Sequence, residues 1–190
     1  GVYDRNRQFY NTMSPSMDIL ISSNLERMLF ELTNNNDEEV RGYMAQLAAE
    51  GRYEVSEEIK KKMSGLFAAG FCDDAETQKV ISKVWNKYHY LIDPHTAVAY
   101  DVLEQYRKES GDTTPAIVVS TASPFKFCDT VLGALGVTEL ASGTDIIAQL
   151  AEKTGVAAPA PLAGLAGKAL RFDKTVTKDH MVDAVLDMLR

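Results

Sequence analysis

The chain has few of the residues that build disulfide frameworks and metal centres. It contains 2 cysteines and 3 histidines among 190 residues. Cys72 and Cys128 lie far apart and form no CxxC or Cys/His spacing, and the histidines show no metal-ligand pattern. We therefore expect no metal, a cytoplasmic location and two reduced thiols, with a disulfide as the unsupported alternative.

Long hydrophobic runs and a basic surface are also missing. No apolar stretch approaches the roughly 20 residues of a membrane-spanning helix, and the polar start Gly1–Arg7 is unlike a signal peptide. The net charge is −7, and the basic cluster Lys60–Lys62 follows two glutamates, which is typical of a solvated helix face. These features argue against nucleic-acid and membrane partners.

The common short catalytic motifs are absent as well. The sequence contains no GxGxxG, no Walker loop and no GxSxG elbow. Hydrophobic residues make up 45% and charged residues 25% of the chain, which are ordinary values for a globular protein with a real core. Composition alone therefore fixes no chemistry.

Capping residues and apolar spacing predict a helix-rich chain. Ser14-Pro15 and Asp93-Pro94 each place a cap before proline, which predicts helices from Pro15 to about Leu32 and from Pro94 to about Ser110. Further helices are predicted over 37–49, 57–68, 75–88, 125–133, 142–154 and 178–190. The last of these is predicted to bury Met181, Val185, Leu186 and Leu189.

Strands are predicted at few places. The apolar run Ala116–Ser120 is typical of a fully buried parallel strand, and shorter strands are predicted over 52–55 and 170–172. Residues 156–167 predict an irregular loop. The fold class is α/β with many helices. A doubly wound domain needs more strands, so either this is a helix-rich domain or strands of a shared sheet lie outside it.

Two hydroxyl-rich helix starts are the candidate ligand sites. Ser14-Pro15-Ser16 and Ser120–Pro124 would offer backbone N–H groups to a phosphate or carboxylate, and the second follows a predicted strand. Simple capping is the alternative for both. His95 is predicted as a capping or surface residue rather than a base, and Lys126 as a surface lysine or a desolvated functional one.

The chain resembles threonine synthase in segments that occur in the family's order. They are Gly1–Arg5 with Ser14–Arg27, then Asp93–Ala99, then Ser120–Phe127. The resemblance implies a helix-rich part of the three-layer αβα architecture of fold-type-II pyridoxal-phosphate (PLP) enzymes. It also implies a lyase of threonine biosynthesis that converts O-phospho-L-homoserine and water to L-threonine and phosphate. PLP acts in such enzymes as an electron sink.

The resemblance implies that only part of the cofactor-binding site lies in this chain. The family's Schiff-base lysine and phosphate loop lie upstream of the matched region, so no catalytic residue is expected here and the isolated chain is expected to be inactive. A hydroxyl at the strand end faces the pyridine nitrogen in this class, which implies Thr121 and next Ser120 as cofactor-binding residues. Many relatives carry His at the position of Ser123, so the role of that side chain is open.

The resemblance also implies substrate-binding residues near the start of the chain. Ser14 and Ser16 match the segment at the active-site mouth, and Asn24 and Arg27 match the family too. For Arg27 an internal salt bridge is the alternative.

The expected organisation follows from the same resemblance. Residues 1–155 are predicted to be the C-terminal part of the catalytic region, with 156–190 as a loop and helix packing on it. Exposed strand edges and apolar faces are expected to make the isolated chain self-associate or rearrange. The alternatives are a stand-alone module that binds an anionic metabolite and a structural or interaction domain.

Overall fold

The structure is a computed structural model that describes residues 1–169, 171 and 174–189. Within these ranges the chain forms two short strands and nine α-helices. Strands β1 (Val2–Asp4) and β2 (Arg52–Glu54) pair antiparallel, with Tyr3 opposite Tyr53. The prediction of a helix-rich chain with few strands is therefore confirmed.

The helices follow one another along the chain, with longer connections over 111–127 and 164–180. They are α1 (Leu25–Leu32), α2 (Asp37–Glu50), α3 (Glu57–Leu66), α4 (Asp74–Tyr88), α5 (Pro94–Ser110), α6 (Cys128–Ala134), α7 (Asp145–Thr154), α8 (Ala160–Ala163) and α9 (Met181–Met188). Single 3-10 turns lie at Pro15–Met17, Pro124–Lys126 and Lys178–His180. The predicted helices over 37–49, 57–68, 75–88 and 94–110 are confirmed, as is the strand near residue 52.

Side-chain caps explain why these helices begin where they do. The side chains of Asn36, Ser56, Asp73 and Asp93 each accept a hydrogen bond from a backbone N–H of the first turn. Such a bond satisfies one of the N–H groups that lack a partner inside the helix.

The first of two hydrophobic cores joins the sheet to α1, α2 and α3. Its buried residues are Leu29, Val40, Tyr53, Val55 and Ile59. Tyr53 stacks between Tyr3 and Tyr43, with ring centroids 4.9 Å and 5.5 Å apart. Pairing of β1 with β2 therefore joins the first residues of the chain to the hydrophobic core that contains Tyr53.

The second core lies among α4, α5, α6 and α7. Its buried residues are Val80, Ile81, Val84, Ile92, Ala97, Phe125, Cys128, Val131, Leu132 and Leu150. Both cysteines are free thiols, and Cys128 is part of this core. The start of α5 lies at the edge of the second core, where the candidate site is found.

The predicted helix over 15–32 is wrong in its first half. Only a 3-10 turn forms at Pro15–Met17, and α1 begins at Leu25. Among the described residues, no backbone N–H donates to the Ser14 side chain as a cap. Asp18 instead accepts hydrogen bonds from Thr12, and such local side-chain bonds compete with helix formation.

The predicted buried strand over 116–120 is also wrong for this chain. These residues, all of them described, form no strand, and Ile117 is 92% exposed and Val119 69% exposed. A parallel strand needs a neighbouring strand to pair with, and the two strands within the described part of the chain pair only with each other.

Further differences lie in the C-terminal half. The helix predicted over 125–133 is divided into a 3-10 turn and α6, and α8 forms inside the predicted loop 156–167. The residues predicted to face inward on the last helix are exposed, and Leu189 is 78% exposed. The reason is that α9 packs on neither core. Residues 170 and 172 of the strand predicted over 170–172 lie outside the described residues, so this strand stays a prediction.

Candidate functional site

One buried carboxylate organises the start of α5. Asp93 is fully buried, and its Oδ1 accepts hydrogen bonds from the His95 backbone N–H at 3.0 Å and from His95 Nδ1 at 2.8 Å. Its Oδ2 accepts a hydrogen bond from Thr96 Oγ1. Asp93 therefore does more than cap the helix, because it also orients the next polar side chains of the first turn.

The second nitrogen of His95 binds a distant segment. His95 Nε2 lies 3.2 Å from the backbone nitrogen of Ser16, which donates to it. A backbone N–H can only donate, so Nε2 is the acceptor and the ring is neutral with its proton on Nδ1. The Phe127 ring stands edge-on to this imidazole at 4.8 Å between centroids.

Thr96 connects the same carboxylate to the end of the 116–120 segment. Its Oγ1 lies 2.9 Å from Ser120 Oγ. Because the Thr96 hydroxyl hydrogen is donated to Asp93, Thr96 accepts the hydrogen of Ser120. Ser120 is thus held in place although it is exposed to solvent.

The 3-10 turn at Pro15–Met17 is braced on its other side. Thr12 donates to Asp18 through its backbone N–H at 2.8 Å and its hydroxyl at 2.7 Å, and these bonds hold the Asp18 pKa below its usual value. The Met13 N–H donates to Asp74 Oδ1 at 3.0 Å. Hydrogen bonds therefore fix the turn against both α4 and α5.

An open cleft of about 990 Å³ lies beside the turn. Its charged lining residues are Arg7, Asp18, Asp73 and Asp74, and its aromatic lining residues are Phe9, Tyr10 and Phe71. The Arg7 guanidinium donates to the carbonyls of Ile19 and Leu20 at 3.1 Å and 3.2 Å. Carboxylates thus outnumber cations on the walls of this cleft.

The structure brings together some of the predicted site residues. Ser16 and Ser120 meet through the Asp93–His95–Thr96 turn, Ser14 is buried beside Thr12, and Thr121 follows Ser120 as an exposed residue. Asn24 and Arg27 line two other clefts and are exposed. These two residues are not brought near the Asp93 carboxylate by any contact within the described residues.

Two further residues have structural surroundings that the sequence left open. Ser123 Oγ accepts a hydrogen bond from the Phe125 N–H at 3.3 Å, so Ser123 caps the 3-10 turn. Lys126 is exposed, which agrees with a surface lysine rather than a desolvated one. Neither side chain contacts the Asp93 network within the part of the chain that the structure describes.

Sequence reasoning missed the central residues of this arrangement. The sequence predicts Asp93 as a helix cap only and gives Thr96 no role, and its prediction of His95 as a surface residue is wrong because that side chain is buried. The signal was present in Asp93-Pro94-His95-Thr96, since a capping carboxylate has a second oxygen for a hydroxyl three residues on. The partners Ser16 and Ser120 lie 79 and 24 residues away, beyond the reach of a local pattern.

The described residues contain neither a candidate membrane-spanning helix nor a candidate metal site. Over residues 1–169, 171 and 174–189, no helix has the length and apolar character to cross a membrane. The same residues contain no group of three or more His, Cys, Asp or Glu side chains arranged to hold a metal ion.

Comparison with known proteins places the chain in a family. The profile of the family "Threonine synthase, C-terminal" matches residues 96–185. Threonine synthase of Saccharomyces cerevisiae is 36% identical over 149 residues, which are 71% of this chain and 29% of that protein. Threonine synthase-like 1 of Macaca fascicularis is 36% identical over 141 residues, which are 74% of this chain and 19% of that protein.

Solved structures agree. The crystal structure of threonine synthase from yeast superposes with a TM-score of 0.78 at 32% identity, covering all of this chain and 38% of that one. The PLP-bound threonine synthase from Brucella melitensis gives a TM-score of 0.66 at 38% identity, covering 78% of this chain and 32% of that one. The chain thus spans less than a third of the curated relatives' length. It belongs to the threonine synthase family and corresponds to its C-terminal region.

Proposed function

We propose that this chain is the C-terminal part of a threonine synthase that converts O-phospho-L-homoserine and water to L-threonine and phosphate with PLP. By itself the chain is inactive, because the cofactor lysine and the phosphate loop belong to the part of the enzyme upstream. The observation that carries the proposal is the joining of three family-like segments, at Ser16, His95 and Ser120, by one buried carboxylate. The similarity to threonine synthases over most of the chain supports it.

The hydroxyls at 120 and 121 fit one edge of the cofactor. PLP supplies an electron sink when it is bound. A neutral pyridine nitrogen needs a hydrogen-bond donor, and Ser120 has given its hydrogen to Thr96. The Thr121 hydroxyl is exposed and has no hydrogen-bond partner among the described residues. Thr121 is therefore the proposed partner of the pyridine nitrogen, and Ser120 supports the backbone next to it.

The turn at Pro15–Met17 is the proposed substrate-facing segment. Its Ser16 backbone N–H is committed to His95, which leaves the exposed Ser16 hydroxyl to contact substrate. Ser14 is buried and hydrogen-bonded within the turn, so its part is to shape the turn. Asn24 and Arg27 stay predictions, because they line clefts other than the one beside the turn.

The domain division is proposed on packing. Helix α7 ends at Thr154, and Val156, Ala158 and Leu162 then pack against the second core. We therefore keep 1–155 as part of the catalytic region and 156–190 as a separate segment, whose first residues pack on that region whereas α9 packs on neither core.

The alternative of a stand-alone module for anionic metabolites is less well supported. Three carboxylates and one guanidinium line the large cleft beside the turn, and that guanidinium is bonded to two carbonyls. An anion held by this chain alone would meet unfavourable charge in this cleft, so in the proposed enzyme we expect the upstream part to hold the phosphate of O-phosphohomoserine.

The test is phosphate release from O-phosphohomoserine with added PLP. The 190-residue chain is compared with a version extended upstream in its own reading frame. Activity only in the extended version is the expected result. Activity in the short chain would contradict the upstream lysine, and inactivity of both would remove the threonine synthase assignment for this protein.

A matched pair of variants tests the cofactor contact in the extended version. Thr121→Val keeps the shape of the side chain but removes its hydroxyl, so we expect turnover to fall by about tenfold or more, from the loss of a hydrogen bond in a polar site. Thr113→Val changes another exposed threonine and is expected to leave turnover within about twofold. Equal turnover in the two variants would remove Thr121 from the cofactor site.

A further inference from the structure

We propose that His95, oriented by Asp93, is a positioning residue that holds the substrate-facing turn at Ser16 in register with the end of the 116–120 segment at Ser120. The proposal rests on the function proposed above for that turn. It concerns the neutral imidazole as a fixed hydrogen-bond link between two segments, not as a proton-transfer group.

Both nitrogens of the His95 ring form a hydrogen bond. Nδ1 donates to Asp93 Oδ1 at 2.8 Å, and Nε2 accepts from Ser16 at 3.2 Å. His95 is 6% exposed and Asp93 is fully buried. The Phe127 ring lies against the imidazole and restricts its rotation. The tautomer and the ring orientation are therefore both determined.

Each side-chain oxygen of Asp93 is hydrogen-bonded toward a different one of the two segments. Oδ1 serves His95 and through it the turn at Ser16, whereas Oδ2 serves Thr96 and through it Ser120. Helix capping alone requires only one acceptor oxygen, which Asn, Ser or Thr would also supply. The second oxygen and the imidazole are explained by the connection between the segments.

The same geometry excludes His95 as a general base in this state. Both ring nitrogens already form hydrogen bonds. The partner of Nε2 is the backbone N–H of Ser16, which can only donate and cannot become an acceptor. A positioning role therefore predicts that the imidazole can be replaced by a group that keeps the acceptor toward Ser16.

Two substitutions at His95 each keep one of its two hydrogen bonds and remove the other. The amide oxygen of His95→Gln lies near the position of Nε2 and can still accept from Ser16. The amide of His95→Asn lies near Nδ1, so it can bond Asp93 but cannot reach Ser16. His180→Gln, at an exposed histidine, is the control for the loss of an imidazole.

Kinetics of the extended enzyme give the first readout. His95→Asn is expected to raise KM for O-phosphohomoserine about five- to tenfold with a smaller change in kcat, which corresponds to the loss of about one hydrogen bond. His95→Gln is expected to restore most of this loss, with the wild-type pH profile. A pH–rate limb lost in His95→Gln, or an equal loss in Gln and Asn variants, would overturn the proposal.

Nuclear magnetic resonance of the 190-residue chain gives a readout that needs no activity. We expect the His95 imidazole to carry its proton on Nδ1, and the Ser16 amide to exchange slowly in wild type and His95→Gln but faster in His95→Asn. A proton on Nε2, or unchanged Ser16 exchange in His95→Asn, would overturn the proposal. An extended enzyme inactive in every form would refute only the proposed function, because the resonance data would still decide the link.

Discussion

At the scale of single residues, Asp18 shows how a local carboxylate redirects the chain. Its two oxygens accept from the backbone and side chain of Thr12, and the chain leaves the helical path immediately after Pro15–Met17. The pattern of apolar residues around it has helical spacing, yet no helix forms before Leu25. A side chain that binds its own backbone can thus outweigh periodicity over one or two turns.

The Asp18 carboxylate gives a pH-dependent prediction. Its pKa is lowered first by the Thr12 backbone N–H and next by the Thr12 hydroxyl, so the stabilisation is present above the ordinary carboxyl range and is lost as pH falls through the lowered value. Thr12→Val removes only the hydroxyl and is expected to move the Asp18 pKa part of the way back up.

Carboxyl resonances followed through an acid titration measure this change. Thr113→Val, at an exposed threonine, serves as the control and is expected to leave the Asp18 midpoint in place. An unchanged midpoint in Thr12→Val would mean that the hydroxyl bond does not form in solution.

At the scale of elements, helices bounded by local signals were predictable. For α2 to α5 the cap, the apolar spacing and the terminating residue all lie within one stretch of sequence, as at Asp93-Pro94 and Gly111 for α5. The segment 116–120 was not predictable in this way, because its hydrogen-bond partners would have to come from elsewhere. The helix over 125–133 was predicted in place, but its first turn is 3-10 because Ser123 and Pro124 tighten it.

Two glycines that end helices provide a prediction with an internal control. Gly51 and Gly111 follow α2 and α5 with φ of 73° and 72°, where a side chain is strained. Gly111→Ala is expected to lower the free energy of unfolding by about 1 kcal/mol.

Gly51→Ala is expected to cost more than Gly111→Ala. A Cβ at Gly51 would lie 2.7 Å from the Asn6 side chain, which must move and give up its bond to the Glu50 carbonyl, whereas a Cβ at Gly111 meets nothing within 4 Å. Urea unfolding of the two variants measures the difference. A smaller loss for Gly51→Ala would show that Asn6 does not occupy this position.

At the scale of the whole molecule, the chain leaves apolar surface uncovered. Ile117 and Val119 are exposed to solvent, as are Met181 and Val185 of α9 and Leu189 just after it. Apolar patches of this kind usually mark a surface that another part of a protein covers. We expect the upstream part to cover this surface in the proposed enzyme, and a second copy to cover it in the isolated chain.

Self-association is therefore the expected behaviour of the isolated chain. Sedimentation velocity over a range of concentrations is expected to show a mass that rises above 20.9 kDa, and Ile117→Lys with Val119→Lys is expected to return it to the monomer. Thr113→Lys with Ala116→Lys adds the same charge to the same segment and is expected to associate like the wild type. A wild-type chain that stays monomeric at every concentration would contradict the prediction.

The sequence by itself determined the family, the helix-rich composition and the boundaries of α2 to α5, because caps, proline positions and apolar spacing act over a few residues. It also pointed to Ser14-Pro15-Ser16, Asp93-Pro94-His95-Thr96 and Ser120 as family-like segments. Only the tertiary structure decided that these segments meet, and that Asp93 joins them with one oxygen for each side. Hydrogen bonds between residues far apart in sequence depend on how the helices pack, and no local pattern contains that information.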